Sequence, residues 1–148
     1  MADVVDSATR SRMMSGIRGR NTKPEIQIRS ILHRRGFRFR LHVRDLPGKP
    51  DIVFPRYRAV IFVHGCFWHG HGCRLFKWPR TRTEFWKTKI IRNQVNDKRS
   101  IEMLTAAGWR VGIVWECSIR GADRDLEEIA QRLEDWLHSD APFMEVRG

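Results

Sequence analysis

Residues 59–73 read Ala-Val-Ile-Phe-Val-His-Gly-Cys-Phe-Trp-His-Gly-His-Gly-Cys, an apolar run that breaks abruptly into histidines, cysteines and aromatics. Ala59 to Val63 is short, rich in β-branched residues and apolar at every position. A strand covered on both faces needs that composition, whereas a half-exposed strand would alternate. His64 falls at its carboxyl end. Beyond it, Cys66, His69, His71 and Cys73 crowd four metal-binding side chains into eight residues. The interleaved Gly65, Gly70 and Gly72 let the backbone turn tightly around an ion. The remaining cysteine, Cys117, follows a second apolar run, Val111 to Trp115. Cys66, His71, Cys73 and Cys117 would complete a four-coordinate site for one structural Zn²⁺. His69 could take the place of His71, which is preferred because His69 has competing work. Buried core thiols beside solvated histidines are the alternative, but ligands packed this densely among glycines rarely build an apolar core.

Working outward, Thr22-Lys-Pro-Glu25 is a capping box, with Thr22 at the N-cap and proline in the first turn. It opens a helix with Ile28, Ile31 and Leu32 on one face, stopped by Gly36; capping alone accounts for Glu25. Residues 37–44 alternate, with Phe37, Phe39, Leu41 and Val43 on one side and Arg38, Arg40, His42 and Arg44 on the other, which predicts a half-buried strand with a cationic outer face. The turn 46–50 leads to a strand at Asp51–Phe54, and 55–58 turn the chain into the buried run. Residues 83–107 form a helix with Phe85, Ile90, Ile91, Val95, Ile101 and Leu104 inward and Lys87, Lys89, Arg92 and Asn93 on the other face. Residues 109–116 are the next strand, reached by a parallel crossover. A last helix, about residues 123–138, buries Leu126, Ile129, Ala130, Leu133 and Leu137. The order α, β-β-β, α-β-α predicts a single α/β (α+β) domain over 1–148, a mixed sheet with helices on both faces.

Charge divides the chain. Residues 1–100 carry 23 Lys and Arg against 7 Asp and Glu, a net +16, whereas residues 101–148 carry 5 against 10, a net −5. A cationic part this marked attracts phosphates and releases counterions from a polyanion. Residues 1–20, basic with Met13, Met14 and Ile17 as the few apolar positions of 7–20, read as an arm or short helix that orders on nucleic acid, or else as a frayed terminus. No single helix concentrates Lys and Arg opposite a face of Trp and Leu, which argues against a membrane surface. The odd cysteine count, no apolar leader and no run of eighteen apolar residues predict a cytoplasmic protein.

Asp51 opens one strand and His64 closes its neighbour, so the two can converge on one point. A carboxylate there suits a hard divalent cation, and so phosphodiester hydrolysis with Mg²⁺. Pro50-Asp51 on one strand with a second position on the next resembles the PD-(D/E)xK nuclease superfamily, although Phe62-Val63-His64 stands where that pattern has a carboxylate and a lysine. The fuller set is more specific: Asp51, the run 60–73, Thr-Arg-Thr-Glu-Phe-Trp at 81–86 and Gly-Trp-Arg-Val-Gly-Ile-Val-Trp-Glu-Cys at 108–117. It closely resembles the very short patch repair (Vsr) endonucleases.

That resemblance implies a restriction-endonuclease-like fold and an enzyme that nicks the thymine strand of T:G mismatches left by 5-methylcytosine deamination. Asp51 would hold Mg²⁺ with the backbone carbonyl of Val63. His69 would be the general base, His64 being the other candidate, with His64 and Glu25 positioning metal-bound waters. Two Mg²⁺ ions would replace the missing lysine. Phe67, Trp68 and Trp86 would intercalate from the major groove and Met14 from the minor groove, with Lys89 and Asn93 near the mismatched bases. Residues 64–82 would form the zinc and aromatic-wedge loop. The enzyme would act as a monomer on double-stranded DNA, with other mismatch-repair proteins as candidate partners and no membrane. A zinc-stapled DNA-binding module without catalysis is the competing expectation, and a nuclease of ordinary restriction sites a weaker one.

Overall fold

The run that reads as doubly covered lies in the middle of a sheet. In the computed structural model, which describes residues 22–73, 75–120 and 125–147, helix α1 (Lys23–Arg34) precedes strands β1 (Arg40–Leu41), β2 (Ile52–Phe54) and β3 (Ala59–His64). Helix α2 (Thr83–Ala106) crosses to β4 (Arg110–Trp115); a short helix α3 (Glu116–Ile119), α4 (Leu126–Leu137) and β5 (Phe143–Val146) follow. The strands lie in the order β1-β2-β3-β4-β5. The first three pair antiparallel, while β3 with β4 and β4 with β5 pair parallel. This is the predicted mixed sheet flanked by helices.

The register explains the composition. Ala59 and Ile61 face the same way as Ile52, Phe54 and Val114, and meet Ile28 and Leu32 of α1 and Ile129, Leu133 and Leu137 of α4. Val60 and Phe62 face the other way with Val53, Val111, Ile113 and Trp115, and meet Leu104 and Ile101 of α2 and Cys66 of the histidine loop. A strand with packed layers on both sides has no face left for polar residues.

Three expectations need correction. The strand foreseen over 37–44 shortens to Arg40–Leu41. Phe37 is buried, but Leu41 is 39% exposed, and His42 adopts a left-handed φ of 51° that ends the alternation. An edge strand has no outer neighbour to hold it extended, and His42 finds a partner elsewhere. In α2, Phe85, Ile91 and Val95 are 44%, 53% and 52% exposed, not inward. The covered stripe is Trp86, Ile90, Asn93, Asp97, Ile101 and Leu104, spaced by threes and fours, so Asn93 belongs to it. Its polar members serve the histidine loop, Asn93 as donor to the Trp68 carbonyl and Asp97 as partner of the His69 ring, which an apolar-only pattern cannot reveal. Finally, β5 and the buried Trp136 were not foreseen; Trp136 donates its indole N–H to the Ala141 carbonyl at 3.0 Å and leads into β5.

The turn before β2 is seated on α2. Gly48 has φ 75°, and a Cβ there would lie 2.7 Å from the Ser100 Cβ. Gly48→Ala is therefore expected to lower stability by about 1–3 kcal/mol, read as a lower urea midpoint at unchanged slope. An unaltered midpoint would show that the turn repacks freely. Met14 and the arm 1–20 lie outside the described residues. Among the described residues no helix is long and apolar enough to cross a membrane.

Candidate active site and metal centre

The parallel pairing of β3 and β4 builds the metal centre. His64 stands opposite Trp115, so two residues beyond each strand end Cys66 and Cys117 come together, and the Cys117 N–H donates to Cys66 Sγ at 3.3 Å. His71 Nδ1 lies 3.5 Å from both Cys66 Sγ and Cys117 Sγ. With Cys73, all four ligand atoms lie within 4.8 Å of one another. A tetrahedral ion with bonds of about 2.3 Å to sulfur and about 2.0 Å to nitrogen sets sulfur–nitrogen edges near 3.5 Å, so the four side chains could bind a metal such as zinc. Without a cation the centre disfavours charge on Cys66 and His71 but not on Cys73. Burial pushes the Cys66 thiol well up, against the Cys117 N–H, and pulls His71 down. Burial also raises Cys73, but the Leu75 N–H and the neighbouring thiols outweigh it and bring that thiol below its ordinary value. Gly70, at φ 60°, lets the loop sit on α2, because a Cβ there would meet Gln94 Nε2 at 2.5 Å and Ile90 Cγ2 at 2.7 Å.

His69 turns away from this cluster. Its ring stacks on His64 at 3.8 Å and 6°, and its Nδ1 lies 2.5 Å from Asp97 Oδ2 on α2. His64 is 5% exposed, packs edge-on against Trp115 at 5.1 Å, and is held well below its ordinary pKa by burial and then by its imidazole neighbours. Its Nδ1 is buried without a hydrogen-bond partner among the described residues. His64, His69 and Asp97 could hold an ion by proximity alone. Parallel rings, however, keep their in-plane lone pairs from converging, which suits proton handling better than shared ligation.

Asp51, at the start of β2, accepts the Val63 N–H at 2.7 Å through Oδ2. Burial foremost, with the nearby Glu25 carboxylate, raises its pKa to about 8 against that hydrogen bond. Glu25 follows from the predicted cap, since its N–H reaches Thr22 Oγ1 at 3.4 Å. Capping does not explain its side chain, which is 2% exposed and contacts Arg29 Nη1 at 3.0 Å and His42 Nε2 at 2.8 Å. Ligand atoms of Glu25, His42 and Asp51 lie within 4.8 Å of one another. Glu25, Asp51, Val63, His64, His69 and Asp97 line one cleft of about 620 Å³, with Phe67 and Trp68 in its wall.

Phe67, Trp68 and Trp86 meet edge-on at centroid distances of 5.3, 5.4 and 5.7 Å, all three half-buried. They are neither sealed in the core nor loose. Lys89 Nζ lies 5.9 Å from the Trp68 ring, and Asn93 Nδ2 donates to the Trp68 carbonyl at 2.8 Å. Asp97 and His42 escaped the sequence reading. Asp97 was legible as an acid in phase with Ile90, Asn93 and Ile101, whereas His42 sat on the side that alternation assigned to solvent.

A buried and a half-buried carboxylate facing each other, stacked imidazoles with an aspartate partner and a rim of rings and cations combine what a nuclease needs. The chain belongs to the very short patch repair family, because the profile described as DNA mismatch endonuclease Vsr matches residues 2–75 and full-length relatives agree. The Escherichia coli DNA mismatch endonuclease Vsr is 51% identical over 138 residues, 93% of this chain and 88% of that protein. The type II nicking enzyme V.XorIIP of Xanthomonas oryzae pv. oryzae is 48% identical over 137 residues, 93% and 98% of the two chains. V.NmeAIP, a type II nicking enzyme of Neisseria meningitidis serogroup A, is 40% identical over 81% of this chain and 86% of its own. Homology thus places this chain among DNA endonucleases, hydrolases that act on DNA.

Proposed function

We propose that this chain nicks the thymine strand of duplex DNA at T:G mismatches arising from 5-methylcytosine deamination, by Mg²⁺-dependent phosphodiester hydrolysis on a restriction-endonuclease-like fold. The observation that carries the reading is that Asp51 and the His64–His69 stack share one cleft whose wall includes Phe67 and Trp68.

Asp51 and the Val63 carbonyl would hold Mg²⁺, two ions in this reading, which would supply charge neutralisation to the reacting phosphodiester. Asp97 beside Nδ1 orients His69 and leaves its Nε2 to take the proton from the attacking water. A neutral His64 lets the stack accept that charge without repulsion, and His64 and Glu25 position water. Zn²⁺ held by Cys66, His71, Cys73 and Cys117 anchors the loop that carries Phe67 and Trp68. A T:G wobble stacks weakly, so unstacking costs least there, and rigid rings driven into the step read deformability more than base identity. In this reading Phe67, Trp68 and Trp86 enter from the major groove and Met14 from the minor groove, with Lys89 and Asn93 beside the mismatched bases. The protein works as a cytoplasmic monomer, alongside other mismatch-repair proteins.

Incubating a labelled duplex containing one T:G pair with protein and Mg²⁺ tests this directly. A nick confined to the thymine strand is expected. A mobility shift without product would leave a zinc-stapled binding module, and equal cutting of the T:A duplex would indicate an ordinary restriction nuclease. Phe67→Ala with Trp68→Ala is expected to reduce T:G over T:A selectivity by at least about thirtyfold, since two stacked rings are together worth about 2 kcal/mol or more. Unchanged selectivity would remove these rings from recognition.

A further inference from the structure

His42 does more than end a strand. Its backbone N–H donates to the Asp51 carbonyl at 3.1 Å, while its ring Nε2–H donates to Glu25 Oε2 at 2.8 Å. One residue therefore touches both elements that bring the carboxylates together, the strand bearing Asp51 and the helix bearing Glu25. It does so from a left-handed backbone, φ 51°, that a non-glycine residue adopts at a cost. Lys49, Arg58 and Arg82 share that left-handed φ, so the turn alone does not select histidine; what histidine adds is a ring long enough to reach the buried acid. Arg29 grips the same Glu25 oxygen from the following turn of its own helix at 3.0 Å, and that contact moves with α1. The His42 contact comes from outside the helix and fixes Glu25 relative to the sheet.

We infer that His42 is a positioning residue, a bracket that holds the Glu25 carboxylate in register with Asp51 so that the pair presents one shaped seat to a hydrated divalent cation, Asp51 toward the ion and Glu25 toward its water. The inference rests on the nuclease reading given above. Partners of this kind, which orient the groups around a metal, change affinity or rate by about ten- to a hundredfold when removed.

Two substitutions separate the ring from the turn. Asparagine tolerates the left-handed backbone but is too short to reach Glu25, so His42→Asn keeps the turn and loses the bracket. His42→Gln keeps an N–H donor close to the position of Nε2. Calorimetric titration of the folded, zinc-loaded protein with Mn²⁺ is expected to show about tenfold weaker binding for His42→Asn and recovery in His42→Gln. In a Glu25→Gln background His42→Asn is expected to add nothing. Turnover of the T:G duplex should fall with kcat while the duplex KM stays put. Unchanged Mn²⁺ affinity, equal weakening in both backgrounds, no recovery by glutamine, or a change confined to the duplex KM would each overturn the bracket. Asp51→Ala measured in parallel keeps the two ideas apart. If that variant still nicks, the nuclease reading itself fails, whereas an inert Asp51→Ala beside an unimpaired His42→Asn removes only the bracket.

Discussion

Asp51→Ala is expected to bind a T:G duplex as tightly as the unaltered protein and to cut it at least about a thousandfold more slowly, several kcal/mol of charge stabilisation having gone with the carboxylate. Its position argues for a loss this large. The side chain is half-buried in the cleft, it accepts a backbone N–H from Val63, and it faces a second acid. Leaving such a group ionised beside that acid is costly unless a cation accompanies it. The same environment fixes a pH dependence. With its pKa near 8 in the metal-free cleft, Asp51 holds a proton below that pH, and a cation must displace it. At limiting Mg²⁺ the nicking rate should therefore rise about tenfold per pH unit up to about pH 8 and then level. The stability of the metal-free protein should run the opposite way. The folded pKa stands above the ordinary 3.8, so this contribution is complete below about pH 4 and is lost as pH rises to about 8. Saturating Mg²⁺ should restore it. A flat rate profile at limiting metal, or normal cutting by Asp51→Ala, would exclude Asp51 as the ligand.

Removing the metal from the cysteine centre should be comparably severe, but through folding. Structural zinc contributes about 10–16 kcal/mol of apparent binding energy in small domains, and here two of the four candidate ligands belong to the core. Cys66 and Cys117 are buried at the ends of the central strands, and His71 lies flat on Trp115 at 4.0 Å. Cys117→Ser is expected to lower the thermal midpoint by about ten degrees or more and to abolish stoichiometric zinc, read by metal analysis against one zinc per chain for the parent. A strong chelator should reproduce the loss, and added zinc should reverse it. Cys117→Ser with parental midpoint and zinc content would show that the thiols are ordinary core residues.

Much of this architecture was legible because burial on two sides and burial on one leave different traces. The run Ala59–Val63 reads correctly since both its faces are covered, and the run before Cys117 reads correctly for the same reason. The metal cluster was legible because soft ligands packed among glycines have few other uses. Where the reading failed, a polar group had taken an inward place. Asp97, Asn93 and His42 serve other polar groups, so they carry no hydrophobic signature. The exposed Ile91 and Val95 misled for the converse reason, since apolar side chains on a long helix need not face the core. β5 was missed because Phe143–Val146 is a four-residue edge strand whose pairing depends on where β4 lies.

Trp115 carries a last consequence. Its indole has His71 flat against one face, His64 and His69 at its edges, and its N–H held by Glu145 Oε2 at 2.7 Å. A single flat ring is thus a shared wall between two chemistries, one built from sulfur and one from nitrogen and oxygen. Oxidation of the thiols would therefore disturb His64 and His69 together with the fold, because one ring backs both clusters.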